Sequence, residues 1–138
     1  MGDRCYWIAT TREKDAEDFG KFFGDMEPVE WSEEEKKCNG LGAVFEDCEA
    51  NYGNYEQMKD ASAAGLTFFG VSYNGDNYGS SVFYSNGTSF HSWPAGHNGE
   101  GWCVEADEDG VILTKELSRL SEFVRGYFAI KKLVESGA

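Results

Sequence analysis

The stretch "LTFFGVSYNGDNYGSSVFYSNGTSFHSW", Leu66 to Trp93, decides the fold of this chain. Short runs rich in aromatic and β-branched residues alternate with turns that contain glycine and asparagine, which is the pattern of antiparallel strands. The pair Asn86-Gly87 between "SVFYS" and "TSFHSW" favours a tight hairpin, because both central residues of a type I′ turn need positive φ. We therefore predict a strand meander in this part of the chain.

Helical and extended segments flank the meander on both sides. "RCYWIA" predicts a first strand, and Thr10 with Glu13 fits a capping box that would start a helix with an apolar stripe through Phe19. "GAVFEDCEA" predicts a second strand, "NYEQMKDASAAG" a short helix and "WCVEA" a last strand. The segment after it predicts a long final helix, whose expected buried face is Leu117, Leu120, Val124, Tyr127 and Phe128, extended by Ile130 and Val134.

This order of elements predicts one α+β domain over residues 1–138, with a mostly antiparallel sheet, helices packed on one face and a long C-terminal helix. With 138 residues, of which 41% are hydrophobic, the chain can bury a core of its own. No stretch approaches the roughly 20 apolar residues of a membrane span, and the N-terminus lacks the plan of a signal peptide. We expect a cytoplasmic protein without a membrane partner.

The formal net charge of −13 is the strongest global signal in the sequence. Such a charge repels nucleic acids and anionic membranes, and it attracts basic surfaces. Residues 1–60 hold 16 acidic and 7 basic side chains, so most of the negative charge lies in the first half. Direct nucleic-acid binding is therefore disfavoured, and a basic partner is favoured.

The acidic residues of this half could gather on one face of the domain. A contiguous negative face can imitate the charges of a DNA backbone and occupy the Lys/Arg groove of a nucleic-acid-binding protein. The alternatives are a solvated surface that only gives solubility and the acidic composition typical of a halophile's proteins. The candidate partner-binding residues are Asp15, Glu17, Asp18, Asp25, Glu27, Glu30, Glu33, Glu34, Glu35, Glu46, Asp47 and Glu49.

The segment Glu105–Glu116 has the spacing of an EF-hand calcium loop. Oxygen ligands would come from Glu105, Asp107, Asp109 and Glu116, with Gly110 at the position of the sharp turn. Position 1 is glutamate instead of the usual aspartate, and the preceding "HNGEGWCV" cannot form the entering helix. The alternative is a strand, an acidic turn over residues 107–110 and a helix capped by Thr114. We expect no cofactor, with calcium as the alternative.

A third hypothesis is a small enzyme that uses His91, His97 and Cys103. A thiol and an imidazole can form a nucleophilic pair when they lie within hydrogen-bonding reach. No sequence around these residues matches a nucleophile motif, and the four cysteines are not at zinc-ligand spacing. We therefore expect a protein that is not an enzyme.

The segments "MGDRCYWIATTREKDAEDF", "EANYGNY", "NGDNYGSSVF" and "EADEDG" resemble small acidic proteins carried by bacteriophages and other mobile elements. Acidic phage proteins of this size include anti-CRISPR and anti-restriction inhibitors, several of which resemble DNA in charge. The resemblance implies a non-enzymatic inhibitor in the cytoplasm of a host cell, bound to a basic, nucleic-acid-binding defence protein. It assigns no individual residue a role and leaves the oligomeric state open.

Overall fold

The structure, a computed structural model, describes residues 4–30, 42–51, 54–73, 79–96, 101–112 and 114–136. Five strands, one 3-10 turn and three helices follow one another along the described chain. In order they are β1 (Arg4–Thr11), the 3-10 turn (Glu13–Asp15), α1 (Ala16–Lys21), β2 (Ala43–Asn51), α2 (Tyr55–Ala63), β3 (Thr67–Ser72), β4 (Ser81–Asn86), β5 (Phe90–Pro94) and α3 (Thr114–Glu135).

The five strands form one sheet in the order β2-β1-β3-β4-β5, and every neighbouring pair is antiparallel. β1 lies inside the sheet, where Trp7 pairs with Asp47 of β2 on one side and with Ser72 of β3 on the other. The register between β1 and β2 shifts by one residue next to Trp7, which is a β-bulge. The predicted α+β class, antiparallel sheet and long C-terminal helix are confirmed.

The helices pack on both faces of the sheet, so the prediction of helices on one face is wrong. Adjacent residues of a strand point to opposite faces, and Phe68 and Phe69 of β3 belong to two separate core clusters. The Phe68 cluster contains Phe19 of α1 and Met58 of α2. The Phe69 cluster contains the buried side chains of α3. Consecutive apolar residues within the strands, instead of strict alternation, are the sequence signal of this double burial.

α3 turns a different face to the sheet from the one that the sequence pattern predicts. Tyr127, Ile130 and Val134 are buried as expected, but Leu117 is 45% and Phe128 44% exposed. Phe123, which the prediction omitted, is only 6% exposed.

The aromatic residues of the sheet explain this rotation of the helix. Phe123 packs against Tyr84 of β4 at 5.1 Å and Trp93 of β5 at 5.9 Å between ring centroids. Gly126 lies against the Tyr84 hydroxyl, where any Cβ atom would clash with the phenol ring. The absence of a side chain at Gly126 lets α3 approach the sheet on this side.

Two of the predicted local features differ in the structure. β1 continues through Thr11, so Thr10 is a buried strand residue and the predicted capping box does not form. The β4–β5 hairpin is confirmed, but its central residues are Gly87 and Thr88, closed by the bond from the Asn86 N–H to the Ser89 carbonyl (3.3 Å). Of these two central residues only Gly87 has positive φ, so the turn is not type I′.

The predicted last strand, "WCVEA", does not form, although the structure describes these residues. Ala106 makes an isolated bridge to Ile112, and the residues just before it belong to no strand.

Among the helices that the structure describes, none combines the length and the apolar character that crossing a membrane requires.

A candidate acidic interaction site

The end of α1 reverses the chain and starts the candidate site. Gly24 and Asp25 are consecutive residues with positive φ (68° and 57°), a conformation that glycine adopts without cost and that aspartate tolerates. After this reversal the Met26 N–H donates to the Gly20 carbonyl over 3.1 Å. Gly20 has no room for a Cβ atom beside the Met26 carbonyl. The segment 25–30 therefore returns closely packed along α1.

The same segment is tied to the outer edge of the sheet. The Val29 N–H donates to the Val44 carbonyl of β2 over 2.7 Å. This bond covers part of an edge strand, whose unpaired backbone groups would otherwise face solvent. Gly42, at the entrance to β2, contacts the Thr11 carbonyl so closely that a Cβ atom would clash. These contacts fix a groove between α1, the returning segment and the start of β2.

The groove consists of two adjoining cavities of about 630 Å³ and about 520 Å³. Glu13, Ala16, Glu27 and Pro28 line both, so the two are continuous. Its apolar lining comes from Ala16, Met26, Pro28, Val29 and Ala43.

Five carboxylates and one ammonium group also line these cavities, and we name the whole feature the acidic groove. Among the described residues of the lining, the acids are Glu13, Glu17, Asp25, Glu27 and Glu30, and the base is Lys21. The Lys21 Nζ lies 4.0 Å from Glu17 Oε1 and 3.7 Å from Asp18 Oδ1. All three side chains are more than half exposed, so water screens these pairs strongly. In the part of the chain that the structure describes, no base lies within 4 Å of Asp25, Glu27 or Glu30.

The segment around the groove is negatively charged as a whole. Residues 12–30 contain seven carboxylates and three basic side chains, a net charge of −4. One of the seven is neutralised internally, because Asp15 accepts a 2.7 Å hydrogen bond from the Arg12 guanidinium and both side chains are largely covered. The remaining acids keep the groove negative.

The structure therefore brings together only part of the predicted acidic face. Glu17, Asp25, Glu27 and Glu30 line the groove, and Asp18 is exposed beside it on α1. The sequence reasoning missed Glu13, because it assigned this residue to a helix cap. The surrounding run of acidic residues was the feature of the sequence that could have identified Glu13 as part of the acidic surface.

The other predicted acids lie elsewhere or outside the described residues. Glu46 is exposed and accepts a 2.8 Å hydrogen bond from the Tyr6 hydroxyl, and Asp47 lies 3.5 Å from the Asn54 amide. Because they are adjacent in β2, Glu46 and Asp47 point to opposite faces of the sheet. Glu33, Glu34 and Glu35 are outside the described residues, as is the side chain of Glu49.

The predicted calcium loop is an acidic turn in the structure. Asp107 Oδ1 accepts the N–H groups of Asp109 and Val111, both over 2.9 Å, and the Asp107 carbonyl accepts the Gly110 N–H. Glu105 is exposed, and Glu116 lies in the first turn of α3. Within the described ranges no three His, Cys, Asp or Glu side chains are grouped to hold a metal ion. The four predicted ligands are therefore not grouped in the part of the chain that the structure describes.

The histidine and cysteine of the third hypothesis have other partners. The His91 ring stacks on Tyr84 with centroids 5.0 Å apart, and its Nε2 lies 2.8 Å from Ser89 Oγ. Cys103 has an exposed thiol. His97 lies outside the described residues. Nothing in the described chain pairs the Cys103 thiol with an imidazole.

Comparison of the chain with protein-family models, with curated proteins and with solved structures found no match.

Proposed function

We propose that this protein is a non-enzymatic interaction protein whose acidic groove binds a basic, nucleic-acid-binding surface of another protein. The observation that carries the proposal is the groove itself, in which five carboxylates and one lysine of the described chain surround an apolar lining. Arginine and lysine side chains combine a cationic end with an apolar stem, so they match both parts of this lining.

Charge favours a protein partner over a nucleic acid. The net charge of −13 repels phosphate backbones, and it speeds the approach of a basic surface. A protein surface that binds DNA or RNA presents clustered Lys and Arg side chains, and the acidic groove competes with phosphates for them. The resemblance to acidic phage proteins extends the proposal to a phage-encoded inhibitor of a host defence protein in the host cytoplasm.

The test uses affinity capture with three immobilised baits. The first is the native protein, and the second carries Asp25→Asn, Glu27→Gln and Glu30→Gln. The control bait carries Glu105→Gln, Glu108→Gln and Asp109→Asn, which remove the same charge from exposed positions in the acidic turn.

The native and control baits should recover nucleic-acid-binding proteins at low salt, and added duplex DNA should release them. The groove variant should recover them at least about tenfold less well, because three charge-assisted contacts are lost. Equal losses in the groove and control variants would contradict the proposal, since net charge alone would then explain binding. Recovery of proteins that DNA does not release would contradict it as well.

A further inference from the structure

The edge of the sheet opposite the acidic groove is formed by β5. Backbone bonds join Asn86 to Ser89 at one end of the β4–β5 pair and Ser80 to Ala95 at the other. In an antiparallel pair, residues bonded to the neighbouring strand alternate with residues whose N–H and C=O groups point away from it. In the register of these strands, the residues of β5 that point outward are Phe90, Ser92 and Pro94.

One of these three positions is already covered. The Pro94 carbonyl accepts the Cys103 N–H over 2.9 Å, and Pro94 has no N–H to offer. The Trp93 indole N–H donates to the Cys103 carbonyl over 2.7 Å, which fixes residue 103 at this end of the strand. No described residue bonds the outward backbone groups of Phe90 or Ser92. Among the described residues, these two donors and two acceptors of the edge therefore have no backbone partner.

A cavity of about 500 Å³ opens at this same edge. Four consecutive residues of β5 contribute to its lining, so it includes side chains from both faces of the strand. Its aromatic rings belong to Tyr55, Tyr84, Phe90, Trp93 and Phe123.

The aromatic lining of this cavity favours a cationic side chain. Glu122 lies in the lining, and burial together with the Glu122 charge raises the pKa of Tyr84. Aromatic ring faces attract ammonium and guanidinium groups, and a carboxylate at the same site adds to that attraction. Arg119 also contributes to the lining and opposes a cation. Because Glu122 and Arg119 are both exposed, water screens both charges and they offset, so the aromatic rings carry the preference.

We propose that β5 binds an extended segment of a basic protein as a sixth strand, with one Lys or Arg side chain of that segment in the aromatic cavity. The backbone groups of Phe90 and Ser92 provide pairing that is independent of sequence, and the cavity selects the side chain. The site lies at the opposite edge of the sheet from the acidic groove and does not depend on the function proposed for that groove.

The probe is a fluorescein-labelled seven-residue peptide in which arginine and valine alternate, and fluorescence anisotropy measures its binding. Ser92→Pro should weaken binding about fivefold, because it removes an outward N–H while leaving the bonds to β4 intact. A peptide with alternate amides N-methylated should lose a similar factor. Glu122→Gln should weaken binding about threefold, whereas Arg119→Ala should strengthen it about twofold.

Several results would overturn the proposal. One is an arginine peptide that fails to bind at about 1 mM, or that binds no better than its glutamate counterpart. Another is Ser92→Pro that folds, as judged by far-UV circular dichroism, yet binds with unchanged affinity. Dimers of the native protein that Ser92→Pro dissociates would instead assign the edge to a second copy of this chain. In the background of the groove variant with Asp25→Asn, Glu27→Gln and Glu30→Gln, Ser92→Pro should still weaken peptide binding about fivefold, which separates this site from the acidic groove.

Discussion

Replacement of Phe123 by alanine should destabilise the protein far more than replacement of Phe128, although the sequence pattern favours Phe128 as the buried residue. Phe123 is 6% exposed and packs against Tyr84, Trp93 and Trp102 with centroids 5.1 to 5.9 Å apart. Truncation of a buried phenylalanine costs about 3–5 kcal/mol, through lost burial and the cavity left behind. Phe128 is 44% exposed, so its truncation should cost about 1 kcal/mol.

Urea denaturation followed by tryptophan fluorescence measures both costs, since Trp93 and Trp102 lie beside Phe123. In a separate thermal denaturation experiment, the melting temperature should fall by about 10–20 °C for Phe123→Ala and by about 3 °C for Phe128→Ala. Because Phe123→Ala removes a large share of a typical stability, Phe123→Leu serves as a milder variant and should cost about 1–2 kcal/mol. Equal losses at the two positions, or a larger loss at Phe128, would show that α3 faces the sheet differently.

Three further predictions concern single residues, and a fourth concerns calcium. Burial, with a smaller contribution from Glu135, raises the pKa of Tyr127 to about 12, so folding favours its neutral form. The resulting stability is complete below about pH 10 and is lost as the pH rises toward 12, and alkaline denaturation should show less of this loss in Tyr127→Phe. Gly126→Ala should cost about 1–3 kcal/mol in urea, and Tyr84→Phe in the same chain should recover part of it; strictly additive costs would refute the Gly126 contact. Asp107→Ala should cost about 1 kcal/mol by removing two hydrogen bonds to backbone N–H groups. Millimolar calcium should not raise the melting temperature of the native chain, and a rise would support the calcium hypothesis instead.

The acidic groove could be predicted only in part from the sequence. The acid count and its bias toward the first half predicted an acidic surface, and four predicted acids line the groove. The same count could not show that Asp15 is held by Arg12 or that Glu46 hydrogen-bonds Tyr6. The net charge is a sum over the sequence, whereas the charge of one surface depends on which way each side chain points.

The predicted calcium loop is a second example of what residue spacing leaves undetermined. Residues Glu105–Glu116 offer oxygen atoms at the correct intervals, but Asp107 uses its carboxylate to close a turn. Metal binding requires several donors to converge on one point, and convergence depends on the backbone path. The spacing of acidic residues in the sequence does not specify that backbone path.

The sequence by itself determined most of the helices and strands and their antiparallel pairing, although the predicted strand "WCVEA" does not form. Periodicity of apolar residues and the glycine-containing turn at Gly87 act over a few neighbouring positions, so they can be read locally. Only the tertiary structure decided that both faces of the sheet are covered, which side of α3 is buried and which edge of the sheet stays open. The rotation of α3 depends on Gly126 meeting Tyr84, residues 42 positions apart, and the exposure of the β5 edge depends on what the rest of the chain covers. Long-range packing sets these features, because the free energy of burial depends on contacts between distant segments.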